Sequence, residues 1–288
     1  MSTNKSKNYA LIAMTAGCLA LPMTAFSQPD MEPTNDLPNP YATQSGYLKL
    51  PAGRSWGSSS AVDLDPDGES IWVAERCGAN IGACTANPDV NMIMKFDPDG
   101  NLVRSFGAGY INWPHGIHVD HEGNVWITDG RDNQNDDNPP DEVYGHQVHK
   151  FSPTGIHLLA IGEPGGARAP DYLWQPNDVH VAPNGDIFIA EGHSNATDAP
   201  ARVLKFNAQG EFLMEFGRYG NGPGEFIQPH ALAMDSRGRL FVGDRSNNRV
   251  QIFDQNGNFI DMWYQFGRPS GMYIDTNDVL YAGASECG

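Results

Sequence analysis

An all-β fold made of repeated blades, a β-propeller, is what this sequence predicts, and three observations predict it. The first is a recurring unit, clearest in Gln228-Pro229-His230-Ala231-Leu232-Ala233-Met234-Asp235, then Gly238-Arg239-Leu240-Phe241-Val242-Gly243-Asp244-Arg245, then Asn248-Arg249-Val250-Gln251-Ile252-Phe253. Each copy reads as an alternating strand, an Asp-x-x-Gly turn, a second strand closed by an acid, and a third strand ending in an aromatic residue. The second observation is period-2 alternation of β-branched and aromatic residues, the pattern of a strand rather than a helix. The third is punctuation by Asn-Gly, Asp-Gly and Arg-Gly turns, with no long 3.6-residue period outside the N-terminus to compete.

The other copies follow in chain order. Val62-Asp63-Leu64-Asp65-Pro66-Asp67-Gly68 leads to Ile71-Trp72-Val73-Ala74-Glu75 and then Met92-Ile93-Met94-Lys95-Phe96. Pro114-His115-Gly116-Ile117-His118-Val119-Asp120 leads to Val125-Trp126-Ile127-Thr128-Asp129 and Val148-His149-Lys150-Phe151. Pro176-Asn177-Asp178-Val179-His180-Val181 leads to Ile187-Phe188-Ile189-Ala190-Glu191 and Val203-Leu204-Lys205-Phe206. A fifth copy starts at Pro269-Ser270-Gly271-Met272-Tyr273-Ile274-Asp275 and reaches Leu280-Tyr281-Ala282. Repeats contact mainly their neighbours, so the array over residues 56–288 is one domain without a single central core. About four and a half copies imply an incomplete, open ring, with Cys287 an unpaired thiol at the break.

Ahead of the array, Lys5 and Lys7, an apolar run from Tyr9 to Leu21, and Thr24-Ala25-Phe26-Ser27 form the three regions of a secretory signal. The expected signal peptide is residues 1–27, cut before Gln28, followed by a Pro/Asn-rich leader over 28–55. The apolar run is short for a bilayer and Pro22 closes it, so no stable membrane span is expected after cleavage. Export to a periplasm or the exterior also favours a disulfide between Cys77 and Cys84, which flank a six-residue loop.

The formal charge of −17, with 35 acids against 18 bases, argues against a surface that tracks phosphates. Nucleic acid is excluded as a partner on that ground. A small molecule or a peptide is the expected substrate, with a protein partner as the other candidate.

The first strand of every blade lies nearest the axis of a propeller, so equivalent residues form rings. Registering the copies on Asp65, Asp120, Asp235 and Asp275 puts Ser60, His115, Asn177, His230 and Ser270 on one ring. A second ring follows the second strands, at Glu75-Arg76, Asp129-Gly130-Arg131, Glu191-Gly192-His193 and Asp244-Arg245. Histidines 115, 230 and 193 with the guanidinium groups of Arg76 and Arg245 suit a metal and an anionic ligand. The acids of the second ring read as hydrogen-bond acceptors within the blades. His118 and His180 read as channel-lining, and His121, His146, His149 and His157 as exposed.

These repeats resemble the NHL class of propeller, with Gly243-Asp244-Arg245-Ser246-Asn247-Asn248-Arg249-Val250 the best fit. Within that class the order of motifs resembles peptidyl-α-hydroxyglycine α-amidating lyase. Trp113-Pro114-His115-Gly116-Ile117 with Gly123 to Asp129 is similar to one zinc-histidine segment of that family. Phe226-Ile227-Gln228-Pro229-His230-Ala231 with Val242 to Arg245 is similar to a second, and Gln175-Pro176-Asn177-Asp178-Val179 to the segment between them. The resemblance implies a six-bladed family fold and a zinc-dependent carbon–nitrogen lyase that releases an amide and glyoxylate without an organic cofactor. It also implies Arg76 as catalytic arginine, His115 and His230 as zinc ligands, and a structural calcium. Two positions depart from the pattern: Ser270 stands where the third zinc histidine belongs, beside Gly271 in place of the calcium-binding acid, and His193 stands in place of the tyrosine base. His193 is therefore expected either as the base or as the third ligand, with Arg245 beside it in the catalytic set. Two alternatives to the lyase are a silent propeller that binds a protein or peptide, using the acidic loop from Asp132 to Asp137, and a calcium-dependent six-bladed hydrolase or lactonase built on Glu75, Asn177 and Asp244.

Overall fold

The chain folds as the repeats predict. The computed structural model describes residues 38, 40–78, 83–134, 140–166 and 173–285. The expected signal peptide, Cys287 and the Asn135–Asp137 part of the acidic loop lie outside the described residues.

Four antiparallel sheets of four strands and one of two follow one another in sequence order. Blade 1 comprises β1 (Ser59–Leu64), β2 (Ile71–Glu75), β3 (Ile93–Phe96) and β4 (Leu102–Phe106). Blade 2 comprises β5 (Pro114–Val119), β6 (Val125–Asp129), β7 (Gln147–Phe151) and β8 (His157–Ile161). Blade 3 comprises β9 (Pro176–Val181), β10 (Ile187–Glu191), β11 (Arg202–Phe206) and β12 (Phe212–Phe216). Blade 4 comprises β13 (Pro229–Met234), β14 (Leu240–Asp244), β15 (Arg249–Phe253) and β16 (Phe259–Trp263), and blade 5 has β17 (Pro269–Ile274) and β18 (Leu280–Ala284). The innermost strands β1, β5, β9, β13 and β17 pack in that order around the axis.

The period-2 pattern has a direct structural meaning here, because a strand sends alternate side chains into two different cores. Val125 and Ile127 of β6 join blade 1 residues such as Trp72 and Phe106, whereas Trp126 between them joins Val179, Ile189 and Phe206 of blade 3. Phe188 and Ala190 of β10 meet Leu232, Val242 and Phe253 of blade 4. Phe241 of β14 meets Met272, Ile274 and Leu280 of blade 5. The apolar interior is therefore a series of slabs between blades, which leaves the axis itself for polar groups. Val73, Met94 and Phe96, at the first blade's other face, are covered by Leu48 and Leu50 of the leader.

Asp65, Asp120 and Asp235 each begin a turn in which their carbonyl accepts from the glycine N–H three residues on, and their carboxylates bond the loop. Cys77 and Cys84 are joined in a disulfide, a bond that persists in oxidising compartments. Among the described residues no helix is long and apolar enough to cross a membrane.

Candidate metal centre

Every innermost strand carries the same local irregularity. The register with its neighbour slips at Ser60 in β1, at His115 and Gly116 in β5, at Asn177 in β9, at His230 in β13 and at Ser270 in β17. A bulge leaves the extra residue unpaired and re-aims its side chain. These six residues line one cavity of about 620 Å³ on the axis, and five of them, Ser60, His115, Asn177, His230 and Ser270, are the ring read from the sequence.

The bulge also fixes the two histidines. His115 Nδ1 lies 2.7 Å from the carbonyl of Asn177, and His230 Nδ1 lies 2.8 Å from the carbonyl of Ser270, each on the next blade. A carbonyl only accepts, so Nδ1 carries the proton and Nε2 is left with its lone pair. This is the tautomer and the type of outer partner that a metal-ligating histidine requires. Ser270 thus supplies a backbone acceptor rather than a ligand, and its hydroxyl is engaged by Ser285.

The third imidazole arrives from the loop after β10. His193 approaches His115 with ring centroids 5.0 Å apart and His230 at 5.3 Å, while His115 and His230 are 4.8 Å apart. One ligand atom from each of the three lies within 4.8 Å of the others, so the triad could hold a metal ion. Burial, then the neighbouring histidines, keep His115 well below the ordinary imidazole range. His230 is pushed down to about 3 by burial and then by His193 and Arg245. His193 is lowered too, by burial and then by Arg245, so all three rings are neutral at neutral pH. Neutral imidazole is the form that binds a metal.

Positive charge surrounds this cluster. Arg76 acts on His115 and His193, Arg245 on His193 and His230, and Arg268 on His193 and His230. Arg76 lies with its guanidinium carbon 3.7 Å from the Trp113 ring centroid, and Trp113 meets His115 and His193 on its other contacts. Burial, with Arg131 adding repulsion, brings Arg76 down to about 10, which leaves it cationic at neutral pH. A chain of strong negative charge therefore carries a cationic pocket at the triad, as an anionic ligand would require. Arg268 escaped the sequence reading because it precedes the fifth copy's Pro269, a position held by Trp113, Gln175 and Gln228 in other copies. Buried Trp113 Nε1, Asn177 Oδ1, Gln228 Oε1 and Arg245 Nε, all on or beside the two rings, find no partner among the described residues. Orphaned donors and acceptors in one place mark where a ligand would satisfy them.

The remaining candidate residues fall into structural roles or a second layer. Glu75 is held by Arg54 and by the N–H groups of Gly57 and Gly78. Glu191 pairs with Arg202 at 2.8 Å, and Asp244 with the wholly buried Arg249 at 2.8 Å. These acids clasp their blades, so the carboxylates of the calcium set are engaged away from the axis. His118 and His180 do line the channel, with ring centroids 4.4 Å apart, and His118 Nδ1 lies 3.3 Å from Asp63. The expectation of exposure fails for two histidines. His146 is buried between Asp132 of its own blade and Trp174 and the Gln175 N–H at the entry to blade 3, and His149 is buried against His157 on the neighbouring strand of blade 2.

Comparison with known proteins agrees with the repeat pattern. The NHL repeat model matches residues 226–253, in blade 4. A probable peptidyl-α-hydroxyglycine α-amidating lyase of Caenorhabditis elegans is 36% identical over 209 residues, 70% of this chain and 50% of that protein. The chain is an NHL-repeat propeller that resembles the amidating lyases. NHL repeat-containing protein 3 of Homo sapiens is 31% identical over 77% of this chain and 59% of its own length. Peptidyl-glycine α-amidating monooxygenase A of Xenopus laevis is 33% identical over 67% of this chain but only 21% of its own length. The NHL-repeat chain thus spans little more than half, or much less, of the relatives it matches. Among solved structures, virginiamycin B lyase of Staphylococcus aureus aligns at TM-score 0.52 with 17% identity, over 78% of this chain and 62% of that one. The nidogen/laminin complex aligns at TM-score 0.51 with 19% identity, over 76% of this chain and 68% of that one. Both likenesses concern the propeller fold alone.

Proposed function

We propose that this protein is a metal-dependent lyase that cleaves a peptidyl-α-hydroxyglycine, or a related small carbinolamide, to an amide and glyoxylate. The observation that carries this reading is the neutral triad of His115, His193 and His230 inside a ring of arginines. The sequence likeness to proteins named as amidating lyases supports the same chemistry.

Three nitrogen donors suit zinc, and a three-histidine set leaves a coordination position open. Zinc, when bound, would lower the pKa of the substrate hydroxyl as a Lewis acid. His193 is assigned as the third donor, in place of the histidine that Ser270 replaces. Arg76 and Arg245 would receive the substrate carboxylate, an anion at neutral pH that a fixed guanidinium fork matches. Trp113, stacked on Arg76, holds that guanidinium in place. The reaction needs no redox partner: the hydroxyl loses its proton, its oxygen closes a carbonyl, and the carbon–nitrogen pair leaves with nitrogen, which takes up a proton. The charged carboxylate stays on the glyoxylate half throughout, on the side facing the same arginines.

We infer further that the protein acts after export, as its N-terminal sequence and the Cys77–Cys84 bond support. Purified protein reconstituted with zinc should release glyoxylate from α-hydroxyhippurate, and chelation should stop it. Zinc-loaded protein with no glyoxylate release would sink the lyase reading, and calcium as the sole tightly held ion would favour the hydrolase instead.

A further inference from the structure

Asn177 occupies the ring position between His115 and His230, and its bonds reach all three triad residues or their immediate neighbours. Its backbone carbonyl accepts from His115 Nδ1 at 2.7 Å. Its side-chain Nδ2 donates to the carbonyl of Gly192, the residue before His193, at 2.7 Å. The same Nδ2 donates to the carbonyl of Pro229, the residue before His230, also at 2.7 Å. One amide group therefore ties together the two chain segments that deliver His193 and His230, while its own backbone orients His115.

The orientation of this amide is decided by chemistry. Two carbonyls can only be met by an NH2 group, so Nδ2 must face them and Oδ1 must face away. Oδ1 is buried and has no hydrogen-bond partner among the described residues, although Asn177 is only 1% exposed. A side chain serving only to fill a blade would have its acceptor satisfied; this one leaves it unpaired, on a residue that lines the axial cavity together with His115 and His230. The backbone around it is equally constrained. A Cβ on Gly116 would come within 2.6 Å of the Asn177 carbonyl, so glycine is needed for β5 to bring His115 to that acceptor. Gly192 has φ of 120° and a Cβ there would lie 1.9 Å from the Pro200 carbonyl, which reserves that site for glycine as well.

We propose that Asn177 is the positioning residue of the triad, holding the three imidazoles at the spacing a metal ion needs. This rests on the metal-centre reading above, and nothing in the sequence likeness assigns it. Outer partners of metal ligands commonly change metal affinity by about 10–100-fold when removed.

The test uses the full chain with Asn177→Asp, which keeps size but cannot donate to either carbonyl, and Asn177→Ala, which removes the group. Far-UV circular dichroism reports the fold, a chelating dye in competition reports zinc affinity, and the visible spectrum of the cobalt(II) form reports coordination. Folded variants whose zinc affinity falls about 10–100-fold, with altered cobalt bands, are the expected result. Folded variants with unchanged or tighter binding and the wild-type cobalt spectrum would overturn the proposal. So would loss of fold in both variants, which would make Asn177 a structural residue of blade 3. A wild-type protein that takes up neither zinc nor cobalt would overturn the metal-centre reading itself, and this proposal with it.

Discussion

Two histidine layers line the axis, and β5 contributes one member to each, His115 and His118, which stand three residues apart and titrate in opposite directions. In the upper layer His115 is driven well below the ordinary imidazole range by burial, by His230 and His193, and by Arg76. In the lower layer burial acts on His118 in the same direction, but the bond to Asp63 and the charges of Asp63, Asp178 and Asp120 outweigh it, and its pKa is raised. The difference teaches that a channel histidine has no fixed meaning. Burial, with neighbouring imidazoles and guanidiniums, keeps His115 a neutral donor, whereas a carboxylate partner raises His118; His180, beside His118 without such a bond, is lowered well below the ordinary range by burial and by His118. The same acidic setting leaves Asp178 pushed up to about 7, chiefly by its burial.

The comparison breaks most visibly with metal uptake. His115→Ala or His230→Ala should abolish stoichiometric zinc binding, measured by elemental analysis after dialysis, while His180→Ala should leave it intact. Equal loss from the lower-layer variant would show that the two layers are one site. Substrate turnover should separate the layers next. Arg76→Gln should lower kcat/KM for α-hydroxyhippurate by about 100-fold, a transition-state loss near 3 kcal/mol, with zinc content unchanged. An unchanged kcat/KM would remove Arg76 from the anion site.

Stability against pH sharpens the contrast with smaller effects. A raised His118 binds its proton more tightly folded than unfolded, so its contribution is present below about pH 6.5 and disappears as pH rises through the folded value. Asp63→Asn should therefore cost about 1 kcal/mol more at pH 6 than at pH 9 in urea titrations, and a cost independent of pH would contradict the pairing. His149, outside both layers, is lowered to about 3 by burial and by His157, so the sign reverses. Its stabilisation is present above about pH 6.5 and lost as pH falls. His149→Gln should remove about one proton, or roughly 1.4 kcal/mol per pH unit, from the acid slope between pH 6 and 4.

The sequence by itself determined the strands, the blades and the ring. Period-2 alternation is local, and each copy carries its own Asp-x-x-Gly turn, so registering the copies was enough to put His115, Asn177 and His230 on one level. Motif likeness also brought Arg76 and Arg245 to that level. Only the tertiary structure decided what these residues do to one another. His193 joins the triad because the loop after β10 folds back over the axis, a closure between residues far apart in the chain. Arg268 acts on the same imidazoles from the next blade, and the burial of His146 and His149 depends on neighbours at the entry to blade 3 and on the adjoining strand of blade 2. The tautomers of His115 and His230, and the bridging amide of Asn177, rest on carbonyls supplied by neighbouring blades at bulges in the strand register. Desolvation and hydrogen bonding depend on distance in space, whereas the repeat pattern specifies only position along the chain.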